Sequence, residues 1–529
     1  MLVIRSTTIS SSLFAIVLAL PLAAQQPKQC SVDEGTPSEV ARAFLTISQV
    51  ANPQGADPAS LKKKLADAVQ LLTGNPGKVE NPVGHAYELG KLLVLWSEQP
   101  DVPLTTTRGA LGFATNPQDT VSLPAAIDSA FTVVETAQPE CATETDKWRS
   151  QKVWSNLVNK AVQELNAGSV DSAEKHATES LLLNRKAPYG NMVLAQVAQR
   201  RNQVDRAIDL FQRTIDIAST DTLYNEVKAN SLLNLGNLAR QAAAEDSTKA
   251  SKYNPIALRA YQTLAADSTA SAGYHIDGVN GVVNVELAMG DSAAVRAVYK
   301  GQLDNPSAFP FNDVIQAGVW ATNVGDSVAA TKLFHAAYEM NPYHRDALSN
   351  LALIEMKAQK YDTALVLLNR LKAVDPNGDN SRLFVFTYAG LAKKFADLNH
   401  SIVARYNKSK DAKLRKVLTD SAALTTDSNK VYTDLAVNTN LASDSLPVMV
   451  RFSQFSNVDN KVTLAGTINN RTDAAKTYTL KVDFLDNKGN VVASQQATVG
   501  PVAGHGSGPF SVTAAGVGIT AFRYAPLDN

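Results

Sequence analysis

The sequence predicts a mainly α protein: an α-solenoid of helix-turn-helix repeats followed by a small antiparallel β-sandwich. Three observations predict it. Between Val314 and Asp375 one helical pair is written twice. Its closing prolines, Pro342 and Pro376, set a period of about 34 residues, the length at which paired helices stack as repeats. After Pro447 the apolar pattern changes from a helical spacing to strict alternation, the period of a half-buried strand.

The first copy carries Gly318, Gly325-Asp326-Ser327, Ala330, Phe334, Ala337 and Asn341-Pro342. The second carries Leu348, Asn350-Leu351-Ala352, Tyr361-Asp362, Ala364, Leu368, Leu371 and Asp375-Pro376. Small residues at 330 and 364 let two helices approach, and Phe334 and Leu368 fill the space behind them. Asp326 and Asp362 stand where a short acceptor caps a helix start. Pro342 and Pro376 end each unit because proline cannot continue a helix. These residues resemble the tetratricopeptide repeat (TPR) family. The resemblance implies a binding scaffold whose first helices line a concave groove.

In chain order, residues 1–24 are expected to be a cleaved export signal, with Arg5, an apolar run from Leu13 to Leu22, and Ala23-Ala24. That run is too short to span a bilayer, and no later segment is a candidate span, so the mature chain is expected to be periplasmic or extracellular. In an oxidising compartment Cys30 and Cys141 are expected to pair as a disulfide. Residues 25–150 read as an N-terminal helical domain, made of divergent repeats or a cap. Val40, Phe44 and Ile47 recur at helical spacing, as do Leu65, Val69 and Leu72, and then Leu89, Leu92, Leu93 and Trp96.

About six repeats are expected across 151–378. Ala173 and Ala207 keep the same period, Asn234-Leu235-Gly236-Asn237 matches the family's first-helix core, and Gly290-Asp291-Ser292 opens another second helix. Residues 379–435 are expected as capping helices with one polar face, which a solenoid needs at its end. Residues 436–447 read as a polar, helix-poor linker, so the segment beyond it is expected to fold on its own.

In that segment, 448–527, Val462, Leu464 and Ile468 alternate, and Tyr478, Leu480, Val482 and Phe484 share one strand face. Asp486-Asn487-Lys488-Gly489-Asn490 is a hairpin turn. The runs Gly466 to Asn470 and Val482 to Asp486 resemble the FxLYD family of small β-sandwiches, although of its Phe-x-Leu-Tyr-Asp signature only Asp486 is kept. That likeness implies an accessory module in an envelope protein.

Chemistry is sparse. The 50 basic and 50 acidic residues balance, which gives no ground for a nucleic-acid partner. The seven histidines are scattered. His335 and His344 lack a His or Cys partner at ligand spacing, so no metal or cofactor is expected. Gly504 to Gly508 is a turn between strands rather than a nucleophile elbow. The leading expectation is an exported, non-catalytic scaffold for protein–protein interaction. The resemblance places groove contacts at Tyr189, Gln196, Arg200, Asn237, Arg240, Asn323 and Lys357, types suited to an extended peptide or its carboxylate. The alternatives are an envelope enzyme with its site in the divergent segment 1–145, or a glycan binder using Tyr87 and Trp96.

Overall fold

A computed structural model describes residues 29–527 apart from 53, 54, 76, 78, 445 and 459, so the expected signal at 1–24 lies outside the described residues. The chain divides into two compact units, 1–282 and 283–529. No helix among the described residues is long and apolar enough to cross a membrane.

The first unit begins with α1 (Ser38–Ala51), α2 (Pro58–Thr73) and α3 (Pro82–Ser97). A short ribbon, β1 (Thr105–Thr107) with β2 (Thr120–Ser122), precedes α4 (Leu123–Ala137) and α5 (Ala142–Arg149). Local chemistry sets these boundaries. Asp57 accepts from the amides of Ala59 and Ser60 at the start of α2, and Ser122 accepts from Ala125 at the start of α4. Each helix also has proline in its first turn, where no amide is needed. Val40, Leu65, Leu92, Leu93 and Phe131 meet in one core with no exposed surface. Tyr87 and Trp96 belong to that core, at 7% and 5% exposed, so they do not offer the glycan platform considered above. Their apolar helical spacing placed them inward.

Cys30 is bonded to Cys141, which ties the leader before α1 to the turn after α4 across 111 residues. In the chain-entropy account, closing a loop of that length contributes on the order of 4–5 kcal/mol.

Paired helices follow: α6 (Lys152–Asn166) with α7 (Val170–Leu183), α8 (Tyr189–Arg200) with α9 (Val204–Ala218), and α10 (Asn225–Glu245) with α11 (Ala250–Ala266). The last pair shows what sets the helix separation. Gly236 on α10 faces the ring of Tyr261 on α11, and a methyl group added at Gly236 would lie 2.7 Å from that ring. Helix α12 (Ala272–Met289) runs through the boundary between the units.

The second unit contains α13 (Ser292–Asp304), α14 (Phe311–Asn323), α15 (Ser327–Met340), α16 (Arg345–Lys357) and α17 (Tyr361–Val374). Asp326 caps α15 as expected, accepting from the amide of Ala329. Asp362 does not cap α17. It lies inside the helix, whose N-cap is Lys360. Gly318 on α14 faces Phe334 on α15 as Gly236 faces Tyr261, with 2.6 Å to the position of an added methyl.

Beyond α17 the structure departs from the expected linker. Helix α18 (Ser381–Lys408) and helix α19 (Ala412–Asp444) form a long antiparallel hairpin. Residues 436–444, expected as a helix-poor linker, are the last turns of α19. Their Ala and Leu favour helix, and Asn438 and Asn440 are too few to break a helix already propagating. The exposed side of α19 carries Lys413, Lys416, Asp420, Asp427, Lys430 and Asp434, with apolar side chains among them. Val417, Leu424 and Val431 are exposed on it.

Among the described residues, six strands complete the unit: β3 (Val448–Val458), β4 (Lys461–Asn470), β5 (Lys476–Leu485), β6 (Val491–Val502), β7 (Ser507–Ala515) and β8 (Ala521–Tyr524). They form two antiparallel sheets, β3-β4-β7 and β6-β5-β8. Val462, Leu464 and Ile468 from the first sheet meet Leu480, Val482 and Phe484 from the second, the alternation legible in the sequence. The Gly504–Gly508 segment is the turn leading into β7, and His505 pairs there with Asp473.

One buried charge makes the first unit sensitive to pH. Glu88 is fully buried, with Lys91 Nζ at 3.0 Å. The Lys91 ammonium lies against the rings of Tyr87 and Trp148. Burial pushes the Glu88 carboxyl up to about 7, against the pull of Lys91. A carboxyl raised on folding binds its proton more tightly in the folded state. Its contribution to stability is therefore fullest below the ordinary value near 4.5 and is lost as pH rises to about 7. The span corresponds to about 3 kcal/mol. Urea midpoints measured from pH 4.5 to 7.5 should fall less steeply in Glu88→Gln than in the wild type. Parallel profiles would contradict the assignment.

Candidate interaction surfaces

In the first unit α6, α8 and α10 form one layer of first helices, α6 against α8 and α8 against α10. Tyr189 begins α8 and is half-buried between Trp154 and Tyr224, with ring centroids 6.2 and 5.8 Å away. Gln196 is half-buried on the same helix. The expected groove contact Arg200 already has a partner: its Nη1 donates to the Leu165 carbonyl at the end of α6, one of the carbonyls a helix leaves unmatched. Asn237 Oδ1 accepts the Tyr261 hydroxyl at 2.7 Å. Arg240 reaches the same hydroxyl, whose acidity burial weakens and Arg240 partly restores. Asn237 and Arg240 thus share an anchor in the core while remaining exposed.

Asn323 and Lys357 lie in the second unit, each the last residue of its first helix, α14 and α16. Both are exposed, and among the described residues neither has a hydrogen-bond or ion-pair partner. Lys357 also suits the negative carbonyl end of α16, a structural role that needs no ligand. Of the seven expected groove residues, five belong to the first unit and two to the second.

The surface that sequence reasoning missed is in the second unit, where the β-sandwich sits on two successive inter-repeat turns. Tyr524 of β8 donates its hydroxyl to Asp375 Oδ1 at 2.7 Å and accepts the Asn377 amide at 2.9 Å. Asn377 accepts the Leu527 amide on its side chain and the Val450 amide on its carbonyl. One repeat earlier, Asn341 Nδ2 donates to the Thr520 carbonyl at 2.9 Å. The ring of Tyr343 lies against Gly489, where any side chain would collide with it. His344 packs at a tilt between Phe311 and Phe455, and the Arg345 guanidinium covers Phe452.

Burial raises the Asp375 carboxyl, with the Tyr524 hydroxyl and Arg345 pulling the other way. The same burial and the neighbouring carboxylate drive the Tyr524 hydroxyl far up, so it stays protonated and remains a donor. His344 is lowered, chiefly by burial. The contact is a hydrogen-bonded joint, so the sandwich, although it has a core of its own, is docked on the repeats rather than held away from them by a linker. Asp375 and Pro376 were legible as a repeat boundary. The partner of that boundary, Tyr524, is 149 residues away and read only as a strand residue.

The matched family lies across this joint. Residues 324–383 match the family model described as tetratricopeptide repeat. This segment is a tetratricopeptide repeat. It holds α15, α16 and α17 together with both docking turns. No curated protein matches the chain. Similar solved structures include PilF of Pseudomonas aeruginosa, at 14% identity, 42% of this chain, 91% of that one and a TM-score of 0.27. A tetratricopeptide repeat protein of Parabacteroides merdae is 11% identical, over 52% of this chain and 100% of its own, at 0.30. YrrB, described as a TPR protein with an unusual peptide-binding site, is 17% identical, over 37% and 90%, at 0.24. Tetratricopeptide repeats are a scaffold for protein–protein interaction. Among the described residues no group of three His, Cys, Asp or Glu side chains is placed to hold a metal ion.

The joint has a direct test. Tyr524→Phe removes one hydroxyl and leaves Asp375 Oδ1 and the Asn377 amide without that partner in a buried place, at a cost of about 1–3 kcal/mol. Urea unfolding should show the midpoint of the second unit falling by that amount, with strand and helix signals lost together. An unchanged midpoint would contradict the joint.

Proposed function

We propose that the chain is an exported, non-catalytic scaffold that holds a protein or peptide partner on the first-helix layer of its tetratricopeptide-type repeats. The observation that carries the reading is the set Gln196, Asn237 and Arg240 on the neighbouring first helices α8 and α10, in a layer whose helix starts carry the half-buried rings of Trp154, Tyr189 and Tyr224. Amides and a guanidinium spaced along a helix layer that begins with aromatic surface suit an extended peptide, whose backbone needs hydrogen bonds and whose side chains need apolar contact. The hydroxyls of Tyr189 and Tyr224 have no hydrogen-bond partner among the described residues, which leaves them available to such a ligand.

Export is supported by the expected signal segment and by the Cys30–Cys141 bond, which persists in an oxidising compartment. The non-catalytic reading is supported by what the shifted groups do. Glu88 is sealed beneath Lys91, and Asp375 is taken up by Tyr524. The equal numbers of basic and acidic residues give no support to a nucleic-acid partner.

Affinity capture from envelope extract, with the purified full chain as bait, checks the proposal. The wild type should retain a protein partner. Gln196→Ala with Arg240→Ala should lose most of it while keeping the far-ultraviolet spectrum, the unfolding midpoint falling by only about 1 kcal/mol for the lost contact with Tyr261. Lys357→Ala asks the same of the second unit. Capture of glycan without protein, or full retention by every variant, would overturn the groove reading.

A further inference from the structure

The α18–α19 hairpin carries a surface that the repeats do not use. Helix α19 has 33 residues, about 50 Å of helix, and α18 is the one element against which it packs extensively. Its inner side is satisfied there. Tyr432 stacks on Phe395, Asn429 donates to the Ala392 carbonyl, and Arg415 covers Tyr406. On one flank, however, Val417, Leu424 and Val431 recur at heptad spacing and are 59%, 69% and 54% exposed. Heptad spacing keeps an apolar seam on one side of a helix, which is the pattern that takes another helix.

The seam is symmetric about Leu424. Val417 and Val431 stand one heptad to either side, and Leu414 and Leu435 extend it at the two ends. A two-fold axis through Leu424 therefore lays Val417 of one chain on Val431 of a second, and Leu424 on itself. Self-complementarity of this kind is what an isologous contact requires. Charges at the two ends agree with the same axis. Lys413 and Lys416 stand at the start of the helix, whereas Asp420, Asp427 and Asp434 follow at heptad spacing. None of these five has an ion-pair partner among the described residues. Antiparallel pairing brings Asp434 of one chain beside Lys413 and Lys416 of the other, at both ends of the contact. Nearer the axis Asp420 of one chain comes beside Asp427 of the other, a like-charge approach that Lys430 on the next turn offsets. A parallel pair would set like charges together along its whole length.

We propose that α19 is a self-association surface and that its occupant is α19 of a second copy of this chain, running antiparallel about Leu424. The two hairpins together form a four-helix arrangement in which the exposed seam becomes interior.

Light scattering on the full chain, separated by size at micromolar concentration, tests this directly. The wild type should run at twice the chain mass. Leu424→Asp should raise the dissociation constant at least tenfold with an unchanged far-ultraviolet spectrum, since an exposed side chain is not needed to fold the hairpin. Lys413→Glu with Lys416→Glu should weaken the pair, as should Asp434→Lys. Mixing those two variants should restore it. A chain mixture carrying Val417→Cys and Val431→Cys on separate molecules should cross-link, whereas Val417→Cys alone should not. A monomeric wild type, a dimer indifferent to Leu424→Asp, or cross-linking of Val417→Cys with itself would overturn the proposal.

Discussion

Gly236 lies beneath Tyr261 and Gly318 beneath Phe334, and in both pairs the methyl of an alanine would fall within 2.7 Å of a ring carbon. Glycine is a poor helix former, costing up to about 1 kcal/mol against alanine in a helix interior. Overpacking a core contact costs more, typically about 1–3 kcal/mol. The close approach therefore outweighs the propensity, and the helices of a pair settle at the distance that the ring on the glycine allows. That distance lets the ring seal the pair from behind, while the pair α16–α17 fills the same place with Ala352 and Leu368.

A repeat set by such contacts presents its inter-repeat turns at regular intervals, and the chain uses two of them. Asn341 and Asp375 occupy equivalent places in successive repeats, and both bind the sandwich. The turns end helices and so have unmatched polar groups, which the sandwich supplies with partners at Thr520, Tyr524, Val450 and Leu527. An all-helical array is thereby joined to a β module without a flexible tether, and the module becomes part of the scaffold.

Local order was legible in the sequence where spacing carries the information. The two copies between Val314 and Asp375, the strand alternation from Val462 to Phe484 and the core face of α3 all depend on periods that a single chain displays. Non-local pairing was legible only for Cys30 and Cys141, where two cysteines in an exported chain leave one partner each. Nothing near Tyr524 announces Asp375, and nothing near Tyr343 announces Gly489. The segment 436–444 was misread because its Asn and Thr resemble loop composition, whereas its helix continues from turns already formed across 412–435. Tyr87 and Trp96 as ligand platforms failed for the opposite reason, since the spacing that suggested helix also buried them. Among the groove residues, the type of Arg200 suggested a contact, but its reach to the Leu165 carbonyl depends on two helices meeting.

Repeats and sandwich meet at the turns 341–345 and 375–380, and the hydrogen bonds buried there predict that the two open together. Hydrogen exchange on the intact protein, read at single amides, tests it most directly. The amides of Asn377, Val450 and Leu527 all end in the joint. They should exchange as slowly as the interior amides of α16 and α17, and open together with them. Exchange of these three amides at the rate of exposed turns, with α16 and α17 still protected, would contradict a single body.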